Sequence, residues 1–174
     1  MHILDIVENS TRAGARNVSI DVAEDDGKDL LTVEVRDDGA GMDQKTLKKA
    51  LDPFYTTKTV RRVGLGLPML AEAAERTGGR FKIESQTGAG TKVRAEFGLS
   101  HLDRQPLGNI VGTIIALIAG NPEVNFIYRH TKNSKTFILD LSEIKDELGD
   151  VPINHTEVLS FLRERMEEGL KEIG

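Results

Sequence analysis

Leu31-Thr32-Val33-Glu34-Val35-Arg36-Asp37-Asp38-Gly39-Ala40-Gly41 is an apolar/polar alternation that runs straight into two acids and two spaced glycines. Period-two alternation predicts a strand buried on one face. Glycines at positions 39 and 41 let the chain turn tightly after the strand and lie close against a flat ligand. A carboxylate held just before them accepts hydrogen bonds, including one from an exocyclic amino group of the adenine type. Taken alone, the same five residues also suit an ordinary Asp/Gly turn.

Working outward, Val18, Ile20 and Val22 alternate with Ser19 and Asp21, so a second strand precedes the first across the turn Asp25-Asp26-Gly27. Before it, Ile3, Ile6, Val7 and Ala13 fit one side of an amphipathic helix stopped by Gly14. After it, residues 43–51 predict a short helix with Asp43 as N-cap. Residues 52–66 lose all periodicity, and a helix follows from about Leu67, with Pro68 in its first turn and Gly78-Gly79 at its end. Phe81 and Ile83, then Val93, Ala95 and Phe97, give two more strands around Gly88-Ala89-Gly90.

Residues 1–99 are therefore expected to form one core of the α+β class. It is a two-layer α/β sandwich with a mainly antiparallel mixed sheet covered on one face by helices. Residues 100–174 are expected to be a small C-terminal α/β extension. It holds an apolar segment at 107–119 ended by Pro122, a hairpin of residues 126–130 and 135–140, and a final helix. That helix is expected to start at Asn154, in capping-box spacing with Glu157, and to bury Val158, Phe161, Leu162, Met166 and Leu170.

Composition narrows the classes of function. The chain has 174 residues, 39% hydrophobic and 29% charged, with a net charge of −5. That balance speaks against nucleic acid or an anionic membrane as a bulk electrostatic partner. The absence of Cys removes disulfides, thiol nucleophiles and Cys-bound zinc. No secretory signal is visible, and the 107–119 segment is too short to cross a bilayer, so a cytoplasmic protein is expected.

Three further motifs carry chemistry. Asp5 and Asn9 lie four apart on the first helix and share a face, and an amide oxygen suits Mg²⁺ when phosphates and water fill the other positions. Val63-Gly64-Leu65-Gly66-Leu67-Pro68 opens the central helix, where free main-chain N–H groups suit phosphates. Asp52-Pro53-Phe54-Tyr55-Thr56-Thr57-Lys58 precedes that loop, with Lys58 placed to offset phosphate charge and Phe54 to anchor a lid, while Thr91 suits a hydrogen bond near a base.

In order, Asn9, Asp37-x-Gly39-x-Gly41, Phe54 with Thr56-Thr57-Lys58, Gly64-x-Gly66-Leu67 and Gly90-Thr91 resemble the N, G1, F, G2 and G3 boxes of the GHKL superfamily. This is the Bergerat ATP-binding fold of gyrase, histidine kinases and MutL. The segment Asp5-Ile6-Val7-Glu8-Asn9-Ser10 with Ala13-Gly14-Ala15 looks like the first motif of MutL. The F and G2 boxes look like those of a sensor histidine kinase. By this resemblance Asn9 would ligate Mg²⁺, Asp37 would read adenine, and Gly64 and Gly66 would line the triphosphate. Ala13, Gly39, Gly41, Met42, Phe54, Thr57, Lys58, Leu65, Leu67 and Thr91 would complete the ATP contacts, and Asp5 and Lys58 would be catalytic.

The resemblance implies a stand-alone histidine-kinase-like module that binds Mg·ATP and passes the γ-phosphoryl group to a separate partner protein. The anti-sigma-factor kinases are a family precedent. The alternative is an ATP-dependent switch or slow ATPase, because MutL-type enzymes place Glu where Asp5 stands. With the first motif at the start of the chain and some 75 residues after the core, an ATP-gated clamp is not expected. The tail helix is expected to pack on the core, giving a monomer or weak homodimer.

Overall fold

The computed structural model describes residues 3–54, 65–101 and 107–174. Its elements are α1 (Ile3–Arg12), β1 (Asn17–Asp25), β2 (Leu30–Asp37), α2 (Gln44–Ala50), α3 (Gly66–Arg76), β3 (Arg80–Gln86) and β4 (Gly90–Gly98). There follow α4 (Ile110–Gly120), β5 (Asn125–Lys132), β6 (Lys135–Asp140), α5 (Leu141–Leu148) and α6 (Thr156–Ile173). The six strands form one mixed sheet in the order β3-β4-β2-β1-β5-β6. Every pairing is antiparallel except β1 with β5.

Alternation decides the layers. Val18, Ile20 and Val22 of β1, Leu31, Val33 and Val35 of β2, and Val93, Ala95 and Phe97 of β4 all face the helices and are buried. Each such Val, Ile, Leu or Phe side chain contributes roughly 1.5–3 kcal/mol through burial, and Ala95 less. The opposite face is charged: Glu34 is ion-paired with Arg36, Lys92 and Arg94, and Lys82 with Glu84. The exposed Lys82–Glu84 pair adds little stability, whereas Glu34, 14% exposed, gathers three cations around one carboxylate.

The last third of the chain joins the same sheet and the same core. Phe126 and Tyr128 of β5 continue the buried row of β1, and Leu162 and Met166 of α6 are fully buried. Tyr128 Oη contacts His130 Nδ1 at 2.7 Å, and His130 Nε2 contacts Glu24 Oε1 at 2.8 Å, stitching β5 to β1. Burial, with the Glu24 carboxylate adding to it, raises the Tyr128 pKa far above its ordinary value.

Local signals differ from the sequence reading in three places. The 107–119 segment becomes a helix capped by Asn109, whose Oδ1 accepts from Gly112 N at 2.8 Å. A helix absent from the reading, α5, follows β6 directly, with Asp140 accepting from Ser142 N at 2.9 Å. The last helix is capped by His155 rather than Asn154. A turn closed by His155 N on Pro152 O at 3.0 Å delays the start by one residue, and His155 Nδ1 accepts from Glu157 N at 3.4 Å. Phe161 is exposed, whereas Val158, Leu162 and Met166 face inward as expected.

Helix α6 lies so close to β6 that Gly169 has no room for a side chain: an added Cβ would stand 2.1 Å from the Phe137 ring. Gly169→Ala is expected to cost about 1–3 kcal/mol by overpacking, read as a lower urea midpoint. An unchanged midpoint would mean that the helix shifts without cost.

Candidate functional site

The end of β2 is the focus of the site. Asp37 is half-buried there, and its carboxylate ties three elements together. Ser10 Oγ of α1 donates to Oδ2 at 2.6 Å, Gly39 N to Oδ1 at 2.9 Å, and Thr91 N of β4 to Oδ1 at 3.3 Å. An ionised carboxylate offers about four acceptor directions. These three donors fix its orientation and leave capacity for one more.

The loop after Asp37 is threaded between neighbours at main-chain distance. Ala40 N donates to Ala13 O at 2.9 Å, and Gly88 N to Ala40 O at 2.7 Å. Gly41 has φ 67°, and a Cβ there would stand 1.9 Å from Gln86 O. At Gly39 a Cβ would lie 3.0 Å from both Cβ and O of Ala13. Gly41 is therefore required by steric approach as well as by its left-handed turn, whereas a side chain at Gly39 would need its neighbours to give by a few tenths of an ångström.

Two hydroxyls that the sequence reading did not select complete this corner. Ser10, 3% exposed, is the donor to Asp37 already described. Ser85 Oγ accepts from Met42 N at 2.8 Å and lies 2.8 Å from Thr91 Oγ1. Their signals are positional: Ser10 follows buried Ile6 by four residues, and Ser85 continues the inward alternation of Phe81 and Ile83.

Earlier on α1, Asp5 meets the start of α3. A Cβ on Gly66 would stand 2.9 Å from Asp5 Cβ, so the two helices touch at this residue. Asn9, one turn further along α1, is half-buried and its side-chain amide makes no hydrogen bond among the described residues. No group of three His, Asp or Glu is gathered for a cation among those residues. A Mg²⁺ ion carried on phosphates needs only one or two protein oxygens, with water for the rest. The Asn9 amide fits that demand.

The remaining expected residues are spread more widely. Leu67 is 8% exposed and belongs to the core, whereas Leu65 points outward. Phe54 is 92% exposed beyond α2, with its N–H on Asp52 Oδ1 at 2.9 Å. Thr56, Thr57, Lys58 and Gly64 lie outside the described residues.

With this geometry in hand, residues 2–101 match the family model described as "Histidine kinase-, DNA gyrase B-, and HSP90-like ATPase". The chain belongs to that family. Its similarity to curated members runs in two directions. It is 32% identical over 88 residues to sporulation kinase C of Bacillus subtilis, covering 51% of this chain and 20% of that kinase. It is 35% identical over 106 residues to the DNA mismatch repair protein MutL of Anaeromyxobacter sp. (strain K), covering 56% of this chain and 17% of that protein. The chain thus spans about a fifth or less of the length of these relatives.

Among solved structures, the Aquifex aeolicus MutL ATPase domain complexed with ADP superposes with a TM-score of 0.55 at 18% identity, covering 97% of this chain and 67% of that one. The N-terminal domain of a DNA repair protein gives 0.57 at 14% identity, over 80% and 51%. These likenesses establish the GHKL ATPase fold. No helix among the described residues is long and apolar enough to cross a membrane.

Asp38, beside Asp37, anchors the loop from the other side. Its carboxylate accepts from Asn17 Nδ2 at 2.7 Å, Asn17 N at 2.9 Å and Arg16 N at 2.8 Å. The Asn17 side-chain bond is the largest cause holding the Asp38 pKa below the usual carboxylate range, followed by the main-chain donors. A depressed folded pKa means that this stabilisation is present above the unfolded value and is lost as pH falls through the folded one. The gap in urea midpoint between the natural chain and Asp38→Asn is therefore expected to be full at neutral pH and to close in strong acid. A gap independent of pH would refute the assignment.

Proposed function

We propose that this chain binds Mg·ATP in the corner between α1, the Asp37 loop and the start of α3. In this reading it acts as a histidine-kinase-like catalytic module that passes the γ-phosphoryl group to a separate partner protein. The observation that carries the reading is the Asp37 carboxylate. It is oriented by Ser10, Gly39 and Thr91 and keeps one acceptor direction for the adenine amino group. Gly39 and Gly41 let the loop pack on Ala13 and Gln86, and Ala13, Met42 and Thr91 would then line the base.

The rest of the chemistry is positioning and charge. Mg²⁺, held by the Asn9 amide and the phosphates, would neutralise charge developing on the transferred group. Gly64, Leu65 and Gly66 would present N–H groups to the polyphosphate. Lys58 would offset the γ-phosphate, with Thr57 and Leu67 supporting that loop. The acceptor nitrogen or oxygen attacks the γ-phosphorus, the bond to the β–γ bridging oxygen breaks, and ADP leaves.

A second reading has its own observation. Asp5 adjoins Gly66 at the start of α3, where an acid can act on water beside the γ-phosphate. The chain would then be an ATP-dependent switch or slow MutL-like ATPase. Asp5 is one methylene shorter than Glu, and a displacement of about 1 Å from in-line geometry slows such a step strongly.

Three measurements test these readings. Asp37→Asn is expected to weaken ATP binding about 10–100-fold, the worth of a hydrogen bond to a charged group, and to erase preference over GTP. Asn9→Ala is expected to remove the Mg²⁺ dependence of affinity. Retained selectivity or retained Mg²⁺ dependence would undo the corresponding assignment. Incubation of the chain with γ-labelled ATP and a lysate of its source organism is expected to label a partner protein. Label released only as phosphate supports the ATPase, and tight binding without turnover supports the switch.

A further inference from the structure

A second concave site lies on the opposite face of the sheet, at its β5–β6 end. This groove of about 450 Å³ has a floor of Ile127, Ile138 and Ile144. Its rim carries Asp140, Glu143 and Glu147, with Arg129 and Arg165. Arg129 is already ion-paired with Asp21. Three carboxylates therefore face one guanidinium, Arg165, that has no ion-pair partner among the described residues.

The groove borders an open sheet edge. β6 is the outermost strand and pairs only with β5. No other main-chain hydrogen bond to Thr136–Leu139 is made among the described residues. The hairpin turn has two residues, Asn133 and Ser134, so Lys132 and Lys135 form its closing pair. Antiparallel alternation then turns the N–H and C=O groups of Thr136 and Ile138 toward the open edge. Natural edges commonly discourage pairing with charges, Pro or bulges. Here β6 is bounded by Lys135 and Asp140, but its central Thr136-Phe137-Ile138-Leu139 carries none of these, and Ile138 is 48% exposed.

We propose that this edge and groove form a docking site for an extended segment of a partner protein. The segment pairs with β6 as an added strand, sets an apolar side chain on Ile138, and brings a Lys or Arg to Glu143 and Glu147. Main-chain hydrogen bonds supply affinity and the alternate side chains supply selectivity, the usual division in strand addition. The excess of carboxylates on the rim selects a basic segment over an acidic one. The inference is independent of the ATP reading, because it needs no nucleotide.

The test uses the full chain and a fluorescein-labelled hexapeptide, Lys-Thr-Val-Thr-Lys-Thr, whose first, third and fifth side chains share one face. Its Glu-Thr-Val-Thr-Glu-Thr counterpart is the control, and anisotropy is read at about 0.1 M salt to limit long-range attraction. The basic peptide is expected to saturate and the acidic one not to bind. Ile138→Asp, and Glu143→Lys with Glu147→Lys, are each expected to weaken binding at least tenfold while thermal unfolding and binding of a fluorescent ATP analogue stay unchanged. Equal binding of both peptides, no saturation by the basic one, or indifference to both variants would overturn the proposal. So would sedimentation of a dimer that Ile138→Asp splits, since that assigns the edge to a second copy. Loss of ATP-analogue binding in the natural chain, with peptide binding intact, would instead count against the nucleotide reading alone.

Discussion

The Asp37 carboxylate is the contact on which the rest of the site depends. It sits where a helix, a strand end, a glycine loop and a neighbouring strand meet, and it accepts a hydrogen bond from three of them. Ser10 Oγ, 3% exposed, reaches Ile6 O only at 3.4 Å, so the 2.6 Å bond to Asp37 is its short contact, and a bond to a charged acceptor is worth more than a neutral one. The carboxylate thus holds this corner of the fold together, and in the proposed reading the same atoms would meet the adenine. This explains why Ala13, Gly39, Gly41, Thr91 and Ser85 gather around it, although they are far apart in sequence.

A second constraint is the parallel seam between β1 and β5. It makes β1 a central strand, flanked by β2 on one side and β5 on the other. Asn17 bonds the Asp38 carboxylate through Nδ2 and accepts from Asn125 Nδ2 through Oδ1 at 3.4 Å. Lys145 of α5 donates to Asn125 Oδ1 at 3.1 Å. Desolvation holds the Lys145 pKa below its ordinary value. A row of polar contacts therefore runs along one end of the sheet from the loop beside Asp37 to the C-terminal helices.

Much of this was legible in the residues, for identifiable reasons. Val18/Ile20/Val22 and Leu31/Val33/Val35 have one face inside and one outside, so period-two alternation was visible and the strands follow it. Asp37, Gly39 and Gly41 stood out because glycine spacing reports main-chain approach. Helix α4 is buried on several sides and uniformly apolar, which erases the period that would have named it a helix. Helix α5 has eight residues, too few turns for a period to register. The pairing of β5 with β1 left no local mark, since parallel partners need no turn between them. Ser10 and Ser85 read as ordinary serines until tertiary approach brings Asp37 to one and Met42 to the other.

The β1–β5 seam also shapes how the molecule is born. Its partners Asn17 and Asn125 are 108 residues apart in sequence. A nascent chain emerging from the ribosome exposes one side of β1 until β5 has been synthesised. At about 5–20 residues per second, that interval lasts roughly 5–20 seconds. During it, an apolar strand with a naked hydrogen-bonding rim is available to any neighbouring polypeptide, so chaperone supply should weigh heavily on its yield in the cell.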